Sequence, residues 1–420
     1  MRKIFFTSLF ILLFSGSFST TVMAQTNIDS LITSIISRVE PDSVKYVIQT
    51  LQDFQTRFML NNNRYDVADW LYDRFTSLGF TDVERDSFMC TTSYGGGSTT
   101  LQVNIIATLP GTTRPDEVYI IGGHYDSFAY GSPMTNAPGA DDNASGTSAA
   151  LEFARVIMES GYQPEATIKF IAFAAEELML FGDSGCEHYA QKAFDEDMDI
   201  SLMINCDMIS HNTLPLEQAS VSINYYSGFT NLLNIAKDVT NQFTLITGVT
   251  GSQNQYSDSY PFYEKGFPPI YFEEDQFSPY YHTVNDVITN YDMDYCSEVI
   301  KAAGAMLLKY MFMNTPTNTQ DEELFVNDFV LHQNYPNPFN PTTKIKFSVP
   351  FVETHRDASL LVILKVFDLL GNDVATLVNE QKPAGSYEVT FNASGLSSGI
   401  YFYRLNAGGF TEMKKMILLR

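Results

Sequence analysis

Residues 144–174 read ASGTSAALEFARVIMESGYQPEATIKFIAFA. The first half, Ala144–Ser160, is the right length and pattern for a helix, and Thr167–Ala174 is a short, almost wholly apolar run that reads as a buried strand. On the amino-terminal side, Leu101–Leu109 and Val118–Gly122 read as strands that end in loops. On the carboxyl-terminal side come a helix over Cys186–Ala193 and a strand over Ser201–Cys206. Further on are a helix near Asn231–Gln242, a short strand at Pro269–Phe272 and a helix over Asp294–Met313. Three helices precede the strands: Ile28–Val39, Ser43–Phe58 and about Asp66–Leu78, the last stopping at Gly79. Strands that alternate with helices indicate an α/β domain with a mixed, largely parallel sheet flanked by helices.

The chain has 420 residues, 25 Lys+Arg and 49 Asp+Glu, for a net charge of −24. That balance excludes a nucleic-acid binder, because phosphates would repel it. With 45 % hydrophobic and 18 % charged residues, the bulk of the chain can bury a core. The acidity is confined to residues 25–326, at −27, whereas residues 327–420 stand near +1. Arg2 and Lys3, the apolar run Ile4–Phe14 and Val22-Met23-Ala24 have the layout of a secretory signal peptide cut after Ala24. That run is too short to span a bilayer, and no later stretch is long and apolar enough, so the mature chain is expected to be exported with no transmembrane helix. Export permits disulfides, and Cys90, Cys186, Cys206 and Cys296 allow three pairings among which the sequence does not choose. Residues 314–326, which open with the polar NTPTNTQD, read as a linker after a domain over 25–313. Beyond it, Lys344–Val349, Leu361–Phe367, Ser386–Phe391, Ile400–Leu405 and Glu412–Leu418 are strand-like runs separated by turn signals, which suggests a small all-β sandwich over 327–420.

Five acidic or histidine-bearing segments fall at ends of expected strands or beside helix starts. They are GGHYDS (122–127), PGADDNASG (138–146), AEE (175–177), NCDM (205–208) and YHTVND (281–286). In an open α/β sheet, ligands bind in the crevice at the carboxyl ends of the strands, so these segments can converge. Two histidines and several carboxylates form a ligand set that suits zinc. Converging carboxylates with no cation would drive their own pKa values upward, and a metal pair removes that problem. His124 and Asp126, two apart in extended chain, share a face.

Taken in order, these segments, with Ser257-Asp258 and Gly266-Phe267-Pro268, resemble the dizinc aminopeptidases, exported leucyl-type enzymes related to glutamate carboxypeptidases and glutaminyl cyclases. The resemblance covers about residues 28–313. It implies a zinc exopeptidase fold and two zinc ions, one held by His124 and Asp207, the other by Glu177 and His282, with Asp142 bridging. Glu176 would be the general base for a zinc-activated water, free of the metals because neighbouring side chains diverge. Asp126 would orient His124 from behind, and Asp286 would do the same for His282. Tyr281 matches a family tyrosine that stabilises the tetrahedral oxyanion, and it reads equally well as a packing aromatic. The chain departs from the family at Ser259, where many members have histidine, and in the longer run Leu178–Gly185 after the paired glutamates. The implied activity is removal of N-terminal residues from peptides with a free amino terminus. The alternatives are a glutaminyl cyclase with one zinc, a carboxypeptidase of the same fold, and, from another class, a non-catalytic surface receptor. The tail, with YPNPFNPT (335–342), FDLLG (367–371), GLSSGIYFYRL (395–405) and Lys414-Lys415, resembles the C-terminal sorting domain of type IX secretion substrates. That implies passage through the type IX machinery to the medium or the cell surface by way of the periplasm.

Overall fold

The computed structural model describes residues 28–179, 182–315, 329–349, 360–382 and 385–419. The expected signal peptide lies outside the described residues, as does the expected linker from residue 316 onward.

Helix α1 (28–36) is followed by α2 (Pro41–Asp53) and α3 (Arg64–Ser77), then β1 (Asp82–Thr92), β2 (Ser98–Leu109) and β3 (Arg114–His124). Next come α4 (Ala144–Ser160), β4 (Ala166–Phe173), α5 (Gly185–Asp195), β5 (Asp199–Cys206), β6 (Ser220–Asn224), α6 (Thr230–Phe243), β7 (Thr247–Thr250), α7 (Ser259–Glu264), β8 (Pro269–Glu274) and α8 (Met293–Met313). The strands form one eight-stranded sheet in the order β1-β2-β4-β3-β5-β8-β6-β7. Its centre, β4-β3-β5-β8, is parallel throughout. The antiparallel pairings are β1 with β2, β2 with β4 and β6 with β8.

Alternation along the central strands sorts side chains to the two faces. Tyr119, Ile121, Ile168, Phe170, Leu202 and Ile204 join the core with α2, α4 and α8. Val118, Ile120, Ile171, Phe173, Ile200 and Met203 face a second core with Cys186, Tyr189 and Ala190 of α5 and Phe262 of α7. Helix α4 starts where the sequence predicts, because Asn143 accepts a hydrogen bond from the Gly146 amide at 2.7 Å as its N-cap. It stops at Gly161, whose φ of 68° is left-handed. Helix α8 is capped by Asp292, which accepts from the Asp294 and Tyr295 amides.

The sequence reading misses β1, β6, β7 and α7. Strand β1 alternates buried and exposed residues only along its second half, and β7 is four residues long. Helix α2 also ends earlier than the pattern suggests. After Asp53 the chain turns at Gln55, φ 65°, and Thr56 bridges to Ala137. All four cysteines are free and buried, so none of the possible pairings forms.

The strand pairings of the tail among the described residues are antiparallel, and an isolated parallel bridge joins Phe339 to Leu418. One sheet runs β13 (Gly385–Asn392), β10 (Thr342–Val349), β9 (Val330–Leu331); the other runs β12 (Asp373–Lys382), β11 (Leu360–Phe367), β14 (Gly399–Ala407), β15 (Phe410–Leu418). Residues of both sheets share one core, including Leu331, Ile345, Phe347, Leu364, Tyr403 and Leu418. The YPNPFNPT segment is tied to the last strand: the Phe339 amide donates to the Ile417 carbonyl at 2.9 Å, and the Ile417 amide donates to Asn337 at 2.8 Å.

Gly146 decides how closely α4 approaches β5. A Cβ at this position would overlap the Cys206 carbonyl oxygen. Replacement Gly146→Ala should therefore lower stability by about 1–3 kcal/mol, the range for overpacking a tight core. Denaturant melts of the purified protein check this, and an unchanged midpoint would contradict it.

Candidate metal centre

The carboxyl ends of β3, β4 and β5 lie side by side, and each carries acid or imidazole. His124 is the last residue of β3, Glu176 and Glu177 follow β4, and Asp207 follows β5. Asp142 arrives from the loop before α4, and His282 from the loop after β8. All the side chains expected from the sequence meet here. His124 Nε2 lies 3.4 Å from Asp207 Oδ1 and 3.5 Å from Asp142 Oδ1. His282 Nε2 lies 2.7 Å from Glu177 Oε2 and 3.2 Å from Asp142 Oδ2. Asp142 thus points one oxygen at each imidazole. Glu176 stands to the side, its Oε2 3.7 Å from His124 Nε2. Ala175 (φ 61°), Met208 (φ 51°) and His282 (φ 54°) hold left-handed backbone that L-residues rarely adopt, so the surrounding packing must impose it.

Buried polar atoms that lack a hydrogen-bond partner mark what the cluster can hold. They include both ring nitrogens of His124, Asp142 Oδ2, Glu177 Oε1, Asp207 Oδ1 and His282 Nδ1. Orphaned buried groups of this kind are costly unless something binds them. Ligand atoms of His124, Asp142 and Glu177 all lie within 4.8 Å of one another. Imidazole nitrogen and carboxylate oxygen together are donors of the type that suit zinc.

A further layer of side chains holds these groups. Asp126 accepts from the Glu176 amide at 2.9 Å and the Glu177 amide at 3.2 Å, with Oδ1 3.5 Å from His124 Nδ1. It therefore ties the paired glutamates to β3 as well as flanking His124. Asp286 does not serve His282 as expected. Its carboxylate accepts from the Asp141 and Asp142 amides at 2.9 and 3.2 Å, and so fixes the backbone of Asp142. Tyr281 stacks on His282, ring centroids 3.8 Å apart and 17° from parallel. Burial and the nearby Asp142, Glu177 and Glu176 raise its hydroxyl pKa, which places that group in the field of the cluster. Ser259, the position at which the resemblance leads one to expect a histidine, is buried, its hydroxyl 2.8 Å from the Tyr226 hydroxyl and 2.6 Å from Ser257 Oγ.

Further buried groups surround the cluster: Asp258 and Asp141 lie in segments singled out from the sequence with no role read for them, and Arg57 carries no local signal. Asp258 is buried, and burial raises its pKa to about 6 against the lowering effect of His124. Asp141 accepts from Ser210 Oγ at 2.6 Å, beside a buried Glu274 whose pKa burial and Asp141 raise. Arg57, fully buried, donates to backbone carbonyls of the ligand loops. An Arg in an apolar helix pattern reads as a surface residue, so only the folded contacts disclose it.

Burial raises the pKa values of Glu176, Glu177 and Asp207, with neighbouring carboxylates adding to it; Glu177 and Asp207 reach about 7. Burial pulls His282 down, but Glu177 and Asp142 outweigh it and hold the ring at about 11. Burial works against ionised Asp142 too, yet His282 and His124 bring its pKa below the ordinary value. These shifts imply that folding of the metal-free protein takes up protons from about pH 4, through Glu177 and Asp207, to about pH 11, through His282. Because the folded state binds more protons than the unfolded one there, stability falls as pH rises through that window. The expected result is a Tm in excess chelator that drops from about pH 5 to about pH 8, with added zinc raising Tm most at the alkaline end. A Tm that climbs with pH in chelator would contradict this.

Two segments of the chain match known protein families. Residues 104–307 match peptidase family M28, and residues 333–419 match the secretion system C-terminal sorting domain. A probable zinc metalloprotease of Pyrenophora teres f. teres is 34 % identical over 203 residues, 44 % of this chain and 42 % of that protein. A probable leucine aminopeptidase of Arthroderma otae is 28 % identical over 309 residues, 69 % of this chain and 79 % of that one. The chain thus spans less than half the length of the probable zinc metalloprotease. Among solved structures, the LapA aminopeptidase of Legionella pneumophila superposes with a TM-score of 0.57 at 20 % identity, over 67 % of this chain and 74 % of that one. The glutaminyl cyclase of Fimbriiglobus ruber gives 0.54 at 17 %, over 64 % and 95 %. At such identities these two structures speak for the fold.

Proposed function

We propose that this chain, which carries a peptidase family M28 domain at residues 104–307 and a secretion system C-terminal sorting domain at residues 333–419, is an exported zinc aminopeptidase. The observation that carries the reading is Asp142, one carboxylate between two imidazoles, with Oδ1 3.5 Å from His124 and Oδ2 3.2 Å from His282. A bridging carboxylate serves a pair of metals. His124 and Asp207 would hold one zinc, and Glu177 and His282 the other. Zinc, when bound, would lower the pKa of a water from about 15.7 towards 7 and polarise the scissile carbonyl.

The side chains supply the rest. Glu176 takes the proton of the attacking water and delivers it to the leaving amine. Its buried carboxylate stands beside the cluster, with Oε2 3.7 Å from His124 Nε2, and is not needed as a metal ligand. Asp126 keeps Glu176 and Glu177 in register with His124 through their amides. The Tyr281 hydroxyl would donate to the developing oxyanion. The fully buried guanidinium nearby, Arg57, is committed to backbone carbonyls, which disfavours a carboxypeptidase. Residues 25–313 would form the catalytic unit, 314–326 the linker and 327–420 the part read by the type IX secretion machinery, with release to the medium or the cell surface after a signal peptide at 1–24.

Glu176→Gln should reduce hydrolysis of aminoacyl chromogenic substrates by at least about 100-fold, the scale of general-base catalysis, with bound zinc unchanged. Retained turnover would overturn the role of Glu176. Elemental analysis should return two zinc ions per chain. One zinc together with ammonia release from N-terminal glutamine would favour a cyclase.

A further inference from the structure

Arg57 sits far from any ligand in sequence and outside the matched peptidase segment, yet it is the hinge pin of the ligand loops. Its side chain is fully buried. Nε donates to the Tyr125 carbonyl at 2.7 Å, Nη1 to the Pro138 and Leu51 carbonyls at 2.6 and 3.2 Å, and Nη2 to the Gly139 carbonyl at 2.7 Å. Its own amide donates to Ser127 Oγ at 3.0 Å, and that hydroxyl donates to the Ala137 carbonyl at 2.7 Å. Tyr125 lies between His124 and Asp126, and the Gly139 carbonyl also receives the Ala144 amide at the start of α4. One planar guanidinium therefore joins the loop that bears His124 to the loop that bears Asp142. The fit admits nothing else at Gly139, where φ is +55° and a Cβ would lie 2.7 Å from Arg57 Nη2 and 2.6 Å from the Asp142 carbonyl oxygen.

The charge matters as well. Asp286, Asp126, Glu177 and Asp142 all act on this cation through space, while its hydrogen bonds go to neutral carbonyls. It thus offsets the carboxylate cluster without occupying any oxygen that could bind a metal. Lysine would keep a charge but not the planar fork that spans three carbonyl-bearing segments.

We propose that Arg57 is a positioning residue that sets the separation of His124 and Asp142 and thereby the zinc affinity of the centre. The inference rests on the metal reading above. It adds that a residue of the amino-terminal helical segment, not of the matched domain, tunes the site.

The test compares the full chain with Arg57→Met and Arg57→Lys. Zinc affinity is measured by competition with a chromophoric chelator, and Tm with and without zinc. For Arg57→Met the expectation is an unchanged far-ultraviolet circular dichroism spectrum and zinc affinity weaker by about 10–100-fold, the range seen when groups that orient metal ligands are removed. Arg57→Lys should recover part of that loss. A purely structural role predicts instead a lower Tm in chelator with zinc affinity of the folded protein within about twofold of the parent; that result overturns the proposal. So does failure of both variants to fold, since the proposal requires the core built by α2, α4 and α8 to stand without the clamp. If the parent itself binds no zinc, the metal reading fails. If the parent binds zinc and both variants bind it equally well, only the role of Arg57 fails.

Discussion

Mutual repulsion among buried carboxylates is the constraint around which this structure is arranged. Asp126, Asp141, Asp142, Glu176, Asp207, Asp258 and Asp286 all lie buried around one crevice. Left to themselves such groups would protonate or pull the site apart. The fold answers with distributed positive character. Asp126 and Asp286 each accept two backbone amides, Asp142 lies between two imidazoles, and Arg57 adds a fixed cation behind the loops. The orphaned ligand atoms that remain are the part of the balance a bound cation would complete.

That arrangement needs a rigid frame. The parallel centre β4-β3-β5-β8 brings three strand ends into register, and both faces of these strands are covered by helices. Close approach at Gly146 against the Cys206 carbonyl seats the start of α4 beside the end of β5, which keeps Asp142 near Asp207. Left-handed backbone at Ala175, Met208 and His282 turns the chain sharply next to Glu176-Glu177, next to Asp207 and at His282 itself. Local strain at three ligand-bearing turns is sustained because the sheet and the amide-accepting aspartates over-determine each position.

Much of this was legible in the chain. Helix α4 and the central strands announce themselves by period and length, and four of the five segments sit at strand ends or a helix start, where an α/β sheet gathers its chemistry, while His282 comes from the loop after β8. Strands β6 and β7 were not legible, because they are short and lie towards one edge of the sheet, where neighbours rather than local pattern decide pairing. Asp286 was assigned to the wrong neighbour for a related reason. Its spacing from His282 is a local fact, whereas its hydrogen bonds run to Asp141 and Asp142, far away in sequence.

The sequence by itself determined the fold class, the acidic catalytic region beside a near-neutral β tail, and the residue types that gather at the crevice. Those depend on periodicity, composition and order, which are local properties. Only the tertiary structure decided which oxygen of Asp142 faces which histidine, that Asp126 holds the glutamates by their amides, and that Arg57 joins the two ligand loops. These depend on hydrogen bonds that close across long stretches of chain. Such bonds are directional over a few tenths of an ångström, and no spacing along a sequence encodes that.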